Sequence, residues 1–314
     1  MKAIAYRTFG NIDVLQTVEE PKPSFNPTQV LVKVKAVSIN PMDWKIRKGE
    51  MKLMSGSKFP RHIGVDFSGI IEDIGSSVTG FKKGDEVFGV VKNTMKDGAL
   101  AEYIVTPSTS VWKKPSSISF PQAASIPIVG AAAATAVEKM GNISAGTEIL
   151  VNGATGGFGM FLLQLLKQKE AIITAVTSTK AIDHAKKWGA DSVIDYTKEN
   201  VFAQNNTYDI IIDLSGKMGY AKARQIMKPR ALFLNPTPKP IEIPTSLLKN
   251  LFTGKKHITI LSGPTSTNIE LLLKAINAGL QIHVSKTFPF VQAKEAYHYA
   301  EQVGYIGKVA IEIN

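Results

Sequence analysis

The sequence predicts an α/β protein in two parts, a doubly wound parallel sheet preceded by a β-rich, barrel-like domain. Three observations predict it. A glycine-rich turn separates a short apolar run from a long one within Thr147–Lys169. Apolar strands then alternate with helical segments as far as Asn235. Residues 1–117 instead show short alternating strands broken by Gly, Pro, Asn and Asp. Strand–helix alternation builds a parallel sheet covered on both faces, whereas closely spaced short strands close into a barrel.

The glycine-rich turn carries the first chemistry. Ile149-Leu150-Val151 leads into Asn152-Gly153-Ala154-Thr155-Gly156-Gly157-Phe158-Gly159, and an apolar run without Pro or Gly follows. This reads as the strand, turn and helix that open a βαβ dinucleotide-binding unit of Rossmann type. Ala154 is expected to make the tight turn, Gly156 to let backbone approach a pyrophosphate, and Gly159 to let helix lie close on strand. Thr155, Gly157 and Phe158 complete the turn, and the helix start faces the phosphates with free N–H groups. Further strands are expected at 171–176, around 192–196, at 209–214 and at 230–235. Helices are expected at 180–188, near 198–204 and at 217–227. The cofactor should lie at the carboxyl ends of the strands.

The second strand selects the cofactor. An NAD site carries a carboxylate about 20 residues beyond the glycines. Here the position holds Thr177-Ser178-Thr179-Lys180, with no carboxylate before Asp183. Hydroxyls and an ammonium suit a 2′-phosphate, so NADPH is preferred over NADH. The plain alternative is that Ser178 and Thr179 only start the next helix; a capping hydroxyl can do both.

A length of 314 residues suggests two domains. No run approaches the roughly 18 apolar residues of a membrane span. Met1–Arg7 shows no secretory signal, and cysteine is absent, which removes disulfides, thiolate zinc sites and cysteine nucleophiles. A cytoplasmic location is expected. The formal charge of +11 is spread over pairs such as Lys82-Lys83 and Lys186-Lys187. That is a solvated basic surface whose field draws in an anionic coenzyme; no motif points to a specific nucleic acid.

Boundaries follow from the punctuation. Ser119 caps a helix at 119–124, and 130–139 is a helix ended by Gly141. Pro236–Pro240 breaks regular structure, and His257–Leu261 is the last strand of the middle domain. The chain is therefore divided as 1–118, 119–262 and 263–314. The last piece carries helices at 268–278 and 290–304 and a closing strand at 307–311, and it returns to the first domain.

Several strings together resemble the zinc-independent quinone oxidoreductase (zeta-crystallin-like) branch of the medium-chain dehydrogenase/reductase superfamily. They are Gly153–Gly159, Asn40-Pro41-Met42-Asp43-Trp44-Lys45-Ile46-Arg47-Lys48-Gly49, Gly64–Gly69, Val78–Val87 and Gly307-Lys308. The Asp-Trp-Lys string is similar to that of chloroplast-envelope quinone oxidoreductase homologues and enone oxidoreductases. The resemblance implies a GroES-like catalytic domain joined to a Rossmann NADPH-binding domain. Zinc enzymes of the superfamily have a Cys where Asn40 stands and His-Glu where Val65-Asp66 stand, so no zinc site is expected. The five histidines show no ligand-like spacing, and there is no Tyr-x-x-x-Lys, Gly-x-Ser-x-Gly or P-loop string.

Without a Lewis acid the protein must use an acceptor that is already electrophilic, which suits quinones and α,β-unsaturated carbonyls. Orientation, and a donor aimed at the developing oxyanion, then become its tasks. Asn40 and Lys45 are the candidate donors, Lys45 by resemblance, with Asp43 to orient them. Asn40 before Pro41 can also be a plain turn residue, and Lys45 a solvated helix residue. By resemblance Tyr196 lies near the 2′-phosphate and Lys308 contacts the coenzyme. Leu214, Ser215 and Asn235, at strand ends, lie over ribose or nicotinamide. Two alternatives remain: an enal/enone-specific double-bond reductase, and an NADPH-bound regulatory or RNA-binding protein without important catalysis. A homodimer is expected by analogy, through pairing of an edge strand such as 257–261.

Overall fold

The structure, a computed structural model, describes residues 1–302 and 304–313. Two compact units form: Met1–Ile128 with Val284–Asn314, and Val129–His283. In unit 1 the strands are β1 (Lys2–Tyr6), β2 (Gln16–Glu19), β3 (Gln29–Ser38), β4 (Arg61–His62), β5 (Asp66–Ile74), β6 (Glu86–Val90), β7 (Tyr103–Pro107) and β8 (Val111–Lys113). Helices α1 (Pro41–Arg47), α2 (Lys52–Ser55) and α3 (Phe120–Ala124) lie between or after them, and α4 (Pro127–Met140) leads into unit 2. Unit 2 adds β9 (Glu148–Asn152), α5 (Gly157–Lys167), β10 (Ile172–Thr177), α6 (Ile182–Lys187), β11 (Ser192–Asp195) and β12 (Tyr208–Asp213). It closes with α7 (Tyr220–Ala223), β13 (Met227–Asn235), α8 (Glu242–Asn250), β14 (Lys256–Thr259) and α9 (Ser266–Asn277). β15 (Val284–Pro289), α10 (Ala293–Glu301) and β16 (Lys308–Glu312) return to unit 1.

Unit 1 is built on β3. Along one edge β3 pairs antiparallel with β5; along the other, residues 29–33 pair with β7 and residues 36–38 with β16. The returning chain therefore completes the sheet, and its order is β15-β16-β3-β5-β6-β8 with β7 beside β3. A separate sheet runs β2-β1-β4. Alternating inward residues such as Val30, Val32, Val34, Phe67 and Ile71 fill one core with Val309, Ile311 and Tyr297 from the return.

Unit 2 is a six-stranded parallel sheet ordered β11-β10-β9-β12-β13-β14. Its order reverses at β9, whose neighbours β10 and β12 lead the chain in opposite directions, so a switch point opens at the carboxyl end of β9. Leu150, Ile211 and Phe233 are buried on the sheet, consistent with continuous apolar strands covered on both faces.

Local differences from expectation have local causes. The units divide at 128 and 284, later than the expected 118 and 263. Ser68 Oγ donates to Phe120 O, tying α3 to β5 in unit 1; the Gln281 amide and carbonyl bond the Gln164 side chain of α5, which keeps 263–283 in unit 2. The helix expected at 217–227 shrinks to α7, because Asp213 Oδ2 takes the amides of Met218 and Gly219 and holds the preceding loop. The segment 198–204 forms only a short turn at Val201–Ala203, capped by Asn200. Pro236–Pro240 ends one element and a missed helix, α8, begins just beyond, where Glu242 accepts from the Lys239 amide. The helix expected at 290–304 regularises over α10; Val303 lies outside the described residues.

The glycine turn departs in one position. Gly153, at φ +79°, makes the left-handed turn, and Ala154 does not. Gly159 packs so close to the turn after β9 that a Cβ there would lie 2.1 Å from Ala154 O, whereas one on Gly156 would meet nothing nearer than 3.9 Å. Gly159→Ala should therefore lower unfolding stability by roughly 1–3 kcal/mol or prevent folding, with Gly156→Ala within about 0.5 kcal/mol of native. Urea midpoints measure both; equal midpoints for the two variants would contradict the packing assigned to Gly159.

Candidate functional site

The residues expected at the coenzyme, Lys308 apart, lie at the carboxyl ends of the unit 2 strands. Ala154 and Thr155 are buried, and Thr155 Oγ1 shares a 2.5 Å hydrogen bond with Thr177 Oγ1 at the end of β10. Gly157 and Phe158, both half-buried, start α5, with open space over Gly156. A helix beginning on unobstructed backbone suits a pyrophosphate, since its first N–H groups are unpaired within the helix.

The 2′ end is assembled from two neighbouring strand ends. Thr177 and Asp195 are register partners, and the Tyr196 amide donates to Thr177 O at 3.0 Å. Ser178 and Tyr196 thus follow adjacent ends. Ser178 flanks a short turn at Thr179–Ala181, yet its hydroxyl takes no capping bond, and Lys180 is exposed. Tyr196 is 52% exposed and so is no part of the core. One carboxylate does stand here. Asp195, missed in the sequence, accepts from the Thr179 hydroxyl and from Thr197 N and Oγ1, and these bonds hold its carboxyl below the usual range. Its lone pairs are spent on the protein.

The later strand ends are fixed by side chains as well. Asp213 Oδ1 accepts from Ser215 N and Oγ and from Asn152 Nδ2, which ties the 214–216 loop to the glycine turn. Leu214 is half-buried and Ser215 exposed. Asn235 is nearly buried; its Oδ1 takes the Thr237 amide and its Nδ2 reaches Glu242.

The second group of candidates lies in unit 1. Asn40 is the N-cap of α1, and Asp43 Oδ2 accepts its backbone N–H at 2.8 Å, which makes a capping box. The Asn40 carboxamide donates through Nδ2 to Asp66 Oδ2 at 2.9 Å and accepts at Oδ1 from Lys308 Nζ at 2.7 Å. Lys308 Nζ also donates to Ile39 O at 2.8 Å. Asn40, Asp43, Asp66 and Lys308 are all buried. Lys308, expected at the coenzyme by resemblance, makes its hydrogen bonds to Ile39 and Asn40 within unit 1. Burial pushes the carboxyls of Asp43 and Asp66 up to about 7 and presses the Lys308 ammonium down to about 8. Tyr297, from α10, reaches Asp43 Oδ2 at 3.4 Å, and its own hydroxyl is pushed well up by burial. Asp43 Oδ1 and Asp66 Oδ1 have no hydrogen-bond partner among the described residues. Lys45, half-buried on α1, has no polar partner for its ammonium among the described residues. The sequence strings that carry the resemblance include Asp66 and Lys308, but nothing in their spacing brings them to Asn40; the β3–β5 and β3–β16 pairings do.

These residues do not fit a zinc ion. An amide, a valine and one aspartate stand at the expected ligand positions, and the neighbouring cation is Lys308. Among the described residues no three His, Cys, Asp or Glu converge.

Comparison with known proteins agrees with this architecture. Residues 26–116 match the family model for the alcohol dehydrogenase GroES-like domain, and residues 188–311 match that for zinc-binding dehydrogenases. The chain is 33% identical to a mitochondrial NAD(P)H oxidoreductase of Bos taurus, covering 91% of this chain and 82% of the relative. It is 28% identical to the chloroplast envelope quinone oxidoreductase homologue of Arabidopsis thaliana, over 99% of this chain and 98% of the relative. The solved quinone oxidoreductase of Coxiella burnetii superposes with a TM-score of 0.91 at 28% identity, covering 100% of this chain and 99% of that one. A GroES-like β domain, a six-stranded sheet ordered 3-2-1-4-5-6 in its own strands with a glycine turn at the switch point, and relatives of this kind lead to one placement: the chain belongs to the medium-chain dehydrogenase/reductase superfamily, in its quinone and enone oxidoreductase branch.

Proposed function

We propose that the protein is an NADPH-dependent reductase that passes hydride to quinones or α,β-unsaturated carbonyls without zinc. The observation that carries the reading is the open glycine turn at the β9 switch point, flanked at the 2′ end by Ser178, Lys180 and exposed Tyr196 with the one nearby carboxylate internally satisfied. When bound, NADPH supplies the hydride. The chain's part is to hold the phosphates on α5, accept the 2′-phosphate with hydroxyls and an ammonium, and present the Lys45 ammonium to the acceptor oxygen. Lacking a zinc donor set, it suits acceptors whose electrophilicity is built in. Relatives named for quinones and for 2-methylene-furan-3-one in Solanum lycopersicum support both acceptor classes; the chain spans 58% of the latter.

The protein is further read as a homodimer. Strand β14 pairs only with β13 among the described residues, and beside it α8 and its flanks expose Ile241, Leu247, Leu248, Leu251 and Phe252. An unpaired strand edge beside apolar surface suits a second copy across a two-fold axis. The absence of cysteine fits a cytoplasmic setting. No helix among the described residues is long and apolar enough to cross a membrane.

Two measurements test these readings. Absorbance at 340 nm should fall with NADPH and quinones or enones, and stay steady with simple aldehydes. Ser178→Asp should raise the KM for NADPH about tenfold or more and leave NADH unaffected, because a carboxylate repels the 2′-phosphate. Equal responses of the two coenzymes would refute the assigned 2′ pocket. In size-exclusion chromatography the native chain should elute as a dimer and Leu247→Glu/Leu251→Glu as a monomer; a monomeric native chain would refute the pairing.

A further inference from the structure

We propose that Lys308 is a positioning residue: with Asp66 it locks the Asn40 carboxamide in one orientation and fixes the start of α1, so that Lys45 is the α1 side chain left to meet an acceptor. The proposal rests on the reductase reading for Lys45, and on geometry within unit 1 for the lock itself.

The lock follows from donor and acceptor chemistry. An ammonium only donates, so the Asn40 oxygen must face Lys308 Nζ; Asp66 Oδ2 already accepts from the Ile128 amide at 3.3 Å, so as an acceptor it faces the nitrogen. Turning the amide over would set N–H against ammonium and C=O against carboxylate. The backbone adds a third hold through Asp43 Oδ2 on Asn40 N–H. The neighbouring residue is held too. Ile39 N–H donates to Val309 O at 3.0 Å and Ile39 O accepts from Lys308, so the chain entering α1 is sewn to the start of β16.

The consequence separates the three candidates on α1. Asn40 is 1% exposed with both ends of its amide spent, and Asp43 is buried with one oxygen on the helix cap. Both are parts of the frame. Lys45 lies on the helix that this frame holds, with its ammonium uncommitted among the described residues. Lys308 itself is 2% exposed and donates twice within unit 1, so it acts through Asn40.

The test uses the full chain and three readouts: amide hydrogen exchange of the α1 segment, NADPH affinity by fluorescence, and acceptor turnover. Lys308→Met keeps the volume and removes the donors. It should speed α1 exchange about tenfold or more, leave α5 exchange unchanged, keep the NADPH Kd within about twofold, and lower kcat about tenfold. In Lys308→Ala, millimolar methylammonium should restore α1 protection and turnover together. Asp66→Asn, which keeps an acceptor for the Asn40 amide, is the variant expected to fold in any case, and it should speed α1 exchange about threefold. Unchanged α1 exchange in Lys308→Met and Asp66→Asn would overturn the proposal. So would a weakened NADPH affinity with kcat intact, which would put Lys308 on the coenzyme. If the native chain reduces no acceptor, the reductase reading fails while exchange and amine rescue still judge the lock.

Discussion

One buried ammonium placed among two buried carboxylates is the constraint on which unit 1 depends. Removing any of these charges from water is expensive, and an interior site tolerates them only when hydrogen bonds and mutual attraction offset the loss. Lys308 meets Ile39 O and Asn40 Oδ1, Asp66 meets Asn40 Nδ2 and the Ile128 amide, and Asp43 meets Asn40 N. One asparagine is common to all three side chains. The raised carboxyls and the lowered ammonium express the burial that remains. This explains why the chain returns after unit 2: without β16 and α10 the cluster would lack Lys308 and Tyr297, and β3 would lack the partner of residues 36–38.

Unit 2 solves a different problem by similar means. A coenzyme loop must present backbone without collapsing onto it, and here carboxylates do the holding from behind. Asp213 gathers Ser215, Met218 and Gly219, and Asp195 gathers Thr179 and Thr197. Each acid is satisfied by protein donors, so the strand ends keep hydroxyls and Lys180 on offer. A basic surface of net charge +11 favours the same anionic ligand. Asp195 ends β11, the strand next to β10, and its bonds to threonines keep its charge engaged with the protein.

The parallel sheet was legible because its strands are continuous apolar runs between helices, and the glycine string marks its switch point. The reading of a 2′-phosphate pocket rests, in the sequence, on the missing carboxylate after Thr177. What stayed hidden depended on contacts distant in sequence. Lys308 and Asn40 are 268 residues apart and meet only through the pairing of β16 with β3. The shortness of α7 could not be seen in Lys217–Met227, because Asp213 imposes it from the preceding strand. The turn made by Gly153 was read one residue late, since the spacing of the string was followed and not the residue free to take a φ of +79°.

The central claim is that hydride passes directly from reduced coenzyme to the carbon of an acceptor that is already electrophilic. A single turnover with NADPH deuterated at the transferring C4 position and an α,β-unsaturated ketone, read by mass spectrometry and NMR, tests it most directly. The account predicts one deuterium on the β-carbon of the saturated ketone. Deuterium on the carbonyl carbon of an allylic alcohol, or its loss to solvent, would contradict it.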